Sequence, residues 1–237
     1  GQNTLIGYNS GSSISTGTNN AGFGFESLRQ TTTGSGNAAI GYRSLYANTS
    51  GGFNTAFGEK SLTTNTTGSE NTAVGSGSLR DNITGGQNAA VGNDALRSNT
   101  TGLRNIAIGK ASMFFNTIGE YNVGAGAFTL FKNTTGSRNV ALGDASLNQN
   151  TTGSDNRAIG QYALYSNIAN SRSTAIGKGA MENADDRTSG VETFNTAIGY
   201  EALKGSATAS ANTGRFNTAI GDKALFLNSS GNENIAL

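Results

Sequence analysis

Asn71-Thr-Ala-Val-Gly75, Asn195-Thr-Ala-Ile-Gly199 and Asn217-Thr-Ala-Ile-Gly221 are copies of one pentapeptide, and its spacing decides the fold. The first position of the pentapeptide falls at Asn3, Asn20, Asn37, Asn54, Asn71, Asn88, Asn105, Asn122, Asn139, Asn156, Ser173, Asn195, Asn217 and Asn234. Successive copies are 17 residues apart, except for two consecutive steps of 22 residues, from 173 to 195 and from 195 to 217. The consensus is N-T-A-I-G-x-x-A/S-L-x-x-N-T-T-G-x-x, numbered here as positions one to seventeen. Self-similarity at a fixed period marks stacked repeats, each too small to bury an apolar face alone.

Each position carries a physical reading. Two glycines in every repeat leave only short segments and cost a helix about 1 kcal/mol each. Strands of three to five residues bounded by Gly and Asn fit instead, and the chain is predicted to be an all-β solenoid of about fourteen 17-residue coils. One domain is expected over residues 1–237, with longer 22-residue coils at 173–194 and 195–216. The apolar residues of positions four and nine are expected to form the core ladder: Ile40, Leu45, Ile108, Met113, Leu142, Leu147, Ile176, Met181, Ile198 and Leu203. Strand alternation then turns position three outward. That column, Ala39, Ala56, Ala73, Ala90, Ala107, Ala141, Ala158 and Ala175, is unusually small for a free surface. It reads as a seam for further copies of the same chain, a candidate trimer interface. Asn at positions one and twelve is expected to stack into amide ladders. Gly at positions five and fifteen marks corners, and Asn170 in place of the second Gly suggests a left-handed backbone there.

Composition narrows the function. The 237 residues include 35 Gly but no His, Cys, Pro or Trp. A Ser-His or Cys-His catalytic device is therefore excluded, as are thiolate metal sites. No catalytic, cofactor-binding or metal-ligating residues are assigned, and no enzyme activity is expected. The net charge of +1 has no basic concentration of the kind that nucleic acid requires, and no apolar run is long enough for a membrane span.

The Asn-Thr-Ala-Ile-Gly segments resemble the Asn-Ser-Val-Ala-Ile-Gly-type motif of the YadA-like heads of trimeric autotransporter adhesins. They are also similar to arrays in trimeric phage tail-fibre proteins. The resemblance runs through the whole chain, although the coil here is longer than the adhesin coil. It implies a left-handed parallel β-roll, a homotrimer, and an extracellular location on a bacterial cell surface or a phage-like particle. The implied role is a non-enzymatic structural or adhesive fibre segment whose ligand is a host-surface protein or a glycan.

Candidate binding residues lie where the repeat lengthens. The additional residues fall within about 182–189 and 204–213, at equivalent corners of neighbouring coils, and insertions on one face of a solenoid often carry binding. Asp185, Asp186, Arg187, Lys204, Ser206 and Thr208 are the candidates. Asp185-Asp186 is the one adjacent carboxylate pair, and it reads as a solvated loop. Thr pairs at positions thirteen and fourteen, such as Thr32-Thr33, Thr66-Thr67 and Thr100-Thr101, raise the alternative of a monomeric ice- or polysaccharide-binding solenoid. Corner threonines more commonly bond their own turn.

Overall fold

In the computed structural model, which describes residues 2–237, every copy of the pentapeptide places a short strand at positions two to four, the last one stopping at position three. The chain is an all-β parallel β-solenoid of about 14 coils. Its internal contacts divide it into two units, Gly1–Ile118 and Gly119–Leu237. The first unit contains β1 (Thr4–Ile6), β2 (Ala21–Phe23), β3 (Ala38–Ile40), β4 (Thr55–Phe57), β5 (Thr72–Val74), β6 (Ala89–Val91) and β7 (Ile106–Ile108). The second contains β8 (Val123–Ala125), β9 (Val140–Leu142), β10 (Arg157–Ile159), β11 (Thr174–Ile176), β12 (Thr196–Ile198), β13 (Thr218–Ile220) and β14 (Ile235–Ala236). Within each unit consecutive strands pair in parallel and in register, so that Ala56 stands on Ala73 and Phe57 on Val74. The longer coils keep that register, with Ala175 on Ala197 and Ile176 on Ile198.

Alternation along the strand holds, but its sense is the reverse of the sequence expectation. Ala39, Ala56, Ala73, Ala90, Ala107, Ala141, Ala158 and Ala175 are all 0% exposed within a single chain. They face the coil's own interior and cannot form an interface between chains. Of the expected core ladder, Leu45, Met113, Leu147, Met181 and Leu203 are buried. Ile40, Ile108 and Ile198 instead point to solvent, with Ile40 46% exposed, and Leu142 and Ile176 are only half-buried. The cause is the width of the interior. Gly22 occupies position three of its coil, and a Cβ there would stand 2.7 Å from Ser10 Oγ and 3.1 Å from Ser27 Oγ. Position three thus abuts the small residue of position eight, and only Ala, whose side chain ends at Cβ, repeats there without forcing the coil open.

The remaining interior is polar, and in the regular coils it is organised into ladders. At position one, Asn54 Nδ2 donates to Asn37 Oδ1 at 3.1 Å, and Asn71 Nδ2 to Asn54 Oδ1 at 3.1 Å. At position twelve, Asn65 Nδ2 donates to Asn48 Oδ1 at 2.8 Å, and Asn82 Nδ2 to Asn65 Oδ1 at 2.7 Å. The two expected amide ladders are therefore present. They also converge, because Asn54 Nδ2 and Asn65 Nδ2 both donate to the Gly68 carbonyl at 2.9 Å. A buried amide left unpaired costs about 1–3 kcal/mol, so each rung holds its neighbour to one register.

The corners differ from the expectation as well. Position-five glycines such as Gly58 (φ +141°) do need a positive φ, and a Cβ there would also meet the Gly75 carbonyl oxygen at 2.5 Å. Position-fifteen glycines have ordinary φ; their requirement is close approach, a Cβ on Gly68 lying 2.3 Å from the Gly85 carbonyl oxygen. Asn170 is accordingly not a left-handed corner. It stands where the first 22-residue coil opens, and its side chain bonds Asp185 O (3.3 Å) and Val191 N (3.0 Å). The left-handed residues are ordinary side chains, including the core Leu45, Leu62 and Leu79, each at φ 48°. That conformation costs an L-residue roughly 1–2 kcal/mol. Inter-coil hydrogen bonds such as Leu62 N to Ser78 O (3.1 Å) offset it.

Ala56→Leu forces three more carbons into this interior and is expected to lower stability by about 1–3 kcal/mol, measured by denaturant unfolding. An unchanged or raised midpoint would mean that position three is not an inward site.

Candidate functional site

Turning Ala inward puts the large apolar residues outward. In the first unit the position-four column is Ile6, Phe23, Ile40, Phe57, Val74, Val91 and Ile108, all exposed or half-buried. Position two shares the face with Thr4, Ala21, Ala38, Thr55, Thr72, Ala89 and Ile106, so no charged side chain stands on these strands. In the second unit Leu142, Ile159, Ile176, Ile198 and Ile220 continue the pattern, with Arg157 as the one charge on the strand face. In-register pairing stacks these side chains directly on one another, so each column is contiguous. An apolar patch of this continuity marks an interaction surface.

The two inserted loops lie against each other within the second unit. Asn183 N donates to Lys204 O at 3.1 Å, Lys204 Nζ reaches Glu182 at 3.1 Å and Glu201 at 2.7 Å, and Asn212 Nδ2 donates to Asn183 O and, at 2.9 Å, to Ser206 O. The second loop ends in a short 3-10 turn, Ala209–Ala211, immediately after Thr208. Of the six candidate residues, Asp186, Arg187 and Thr208 are exposed, Lys204 and Ser206 are half-buried, and Asp185 is buried. Asp185 is not a solvated carboxylate. Arg187 donates from Nε and Nη2 to it, at 2.8 and 2.6 Å, and the Arg187 backbone N–H adds a third bond at 3.1 Å. Lys204 and Ser206 are likewise engaged, Ser206 N and Oγ both bonding Asn212 Oδ1. The loops are therefore a self-bonded structure, with Asp186, Arg187 and Thr208 the candidates that reach solvent.

The threonine face is partly committed. Thr32, Thr49 and Thr66 hydroxyls donate to the position-thirteen carbonyl of the next coil at 3.0 Å, rather than to their own turn. Thr16, Thr33, Thr67, Thr84, Thr101, Thr135 and Thr152 of position fourteen are exposed. The aromatics Tyr8, Phe25 and Tyr42 stack face to face at 5.2 and 5.5 Å. Phe25 lies between the other two rings, while Tyr8 at the end of the stack is 66% exposed.

No family model, curated protein or solved structure matches this chain. Among the described residues no group of three His, Cys, Asp or Glu side chains converges to hold a metal. None of their helices is long and apolar enough to cross a membrane.

Burial by itself raises the Asp185 carboxyl, but its bonds to Arg187 overcome that and hold it below the usual carboxylate range. A depressed folded value stabilises the loop above the unfolded pKa of about 3.9. That contribution is lost as pH falls through the lower folded value. Carboxyl NMR should give a midpoint for Asp185 below the ordinary value, and Arg187→Gln should move it upward. A midpoint at the ordinary value in both proteins would contradict the pairing.

Proposed function

We propose that this chain is a non-enzymatic segment of an adhesive fibre, wound left-handed and assembled as a homotrimer. The exposed apolar column at position four carries this reading. Water-facing Ile, Val and Phe at almost every coil are costly for a lone chain, each forgoing about 25 cal/mol per Å² of burial. The column runs along the stacking direction of each unit. Three parallel chains set about one axis bring three identical columns together, and every coil contributes a rung. The resemblance to trimeric adhesin heads and tail fibres supports the same assembly and an extracellular place on a bacterial surface or a phage-like particle. An array of many small coils gains its stability from repetition and from packing between neighbours. Such a segment would present three copies of any weak site to a host-surface protein or a glycan, with avidity in place of affinity. The outward residues of the inserted loops, Asp186 and Arg187 on the first and Thr208 on the second, are the sites proposed to face that ligand. The absence of His and Cys supports a mechanical rather than a chemical role.

Light scattering behind size exclusion should give about three times the 24.1 kDa chain mass. Val91→Lys with Ile108→Lys buries like charges in the proposed interface and should reduce the mass to that of one chain, with the circular dichroism unchanged. A monomeric parent, or a double variant that keeps the parent's mass, would contradict the assembly. The monomeric outcome would return ice or polysaccharide binding by a single solenoid.

A further inference from the structure

We propose that the second unit contains a buried water-binding site at the place where its position-twelve amide column stops. In the regular coils below, each Asn Oδ1 accepts from the amide of the following coil: Asn133 from Asn150 at 2.8 Å, and Asn150 from Asn167 at 3.0 Å. Asn167 is fully buried, and its Oδ1 has no partner. Its orientation is fixed, because Nδ2 donates to Asn150 Oδ1 and to Asn170 O, both at 3.0 Å. Turning the amide over would lose both bonds.

The vacancy arises from the two longer coils. Position twelve of the next coil is Ala184, which has no amide to offer, and the following coil has Ser206 there; Asn returns only at Asn228. The position-one column breaks at the same level, where Ser173 replaces Asn. A cavity of about 30 Å³ lies at this break, lined among others by Asn167, Ala184, Asp185, Thr193, Asn195 and Asn212. That volume exceeds the roughly 10–15 Å³ one water needs, and the walls offer the several polar partners that a buried water requires. The chemistry favours a neutral donor. The orphan is an amide oxygen, and both oxygens of the one lining carboxylate, Asp185, are already held by Arg187. A water occupying the missing rung gives Asn167 its donor and explains how the stack admits two 22-residue coils without leaving a buried acceptor bare.

Ala184→Asn restores an amide to the column and should displace the water. Oxygen-17 relaxation dispersion on the full chain should show long-lived water in the parent and one or two fewer such molecules in Ala184→Asn. Asn167→Leu, which removes the acceptor, serves as the second variant should the first fail to fold, and the same loss is expected. A high-resolution crystal structure should place a peak about 2.7–3.2 Å from Asn167 Oδ1. Equal water counts in parent and variant, a dry cavity, or a peak that strengthens when sodium is exchanged for rubidium would each overturn the assignment.

Discussion

The interaction on which the structure depends is the bond between asparagine amides in successive coils. A coil of 17 residues has too little apolar surface to fix its own shape. Its interior holds one Ala, one Leu or Met and a small residue beside two Asn side chains. The amides are tolerable only in register, where each Oδ1 accepts from one neighbour and each Nδ2 donates to the other and to the carbonyl of a position-fifteen glycine. Registry in turn demands that this glycine carry no Cβ. The same registry lets bulky left-handed residues such as Leu62 persist, because their backbone groups are bonded to the adjacent coil.

From this constraint the outer surface follows. A narrow, polar-lined interior has no room for Ile or Phe on the strand, so the strand turns its small residue inward and presents its large ones. The apolar face is thus a consequence of how the interior is filled, and it becomes the part of the molecule with the most to gain from association. The inserted loops obey the same logic in reverse. Where both amide columns lapse, Asn170, Asn212 and Arg187 rebuild local bonding with side chains absent from the consensus.

Much of this was legible in the sequence. The period sets the number of coils, and the recurrence of Asn at two positions announces the ladders. The sidedness of the strand was misread because size was taken as a guide to burial. Arg157 held the correcting signal. It occupies position two, which alternation places on the same side as position four, and an unpaired guanidinium does not belong in a dry core. The role of Gly at position fifteen was hidden because close approach between coils depends on stacking distance, which a single coil's sequence does not encode. The bonding of Asp185 was hidden for a similar reason: Asp186 separates it from Arg187, and only the fold of the loop turns the two side chains together. Of the adjacent carboxylates read as a solvated loop, Asp186 is exposed and Asp185 is buried.

Hydrogen exchange of asparagine side-chain amides tests the central claim most directly. The Nδ2 protons of Asn54, Asn65, Asn71 and Asn82 should exchange far more slowly than those of exposed asparagines such as Asn19, and in step with the backbone amides of their coils. Exchange at the rate of a free amide, with the backbone still protected, would contradict the claim that the buried amide columns hold the coils in register.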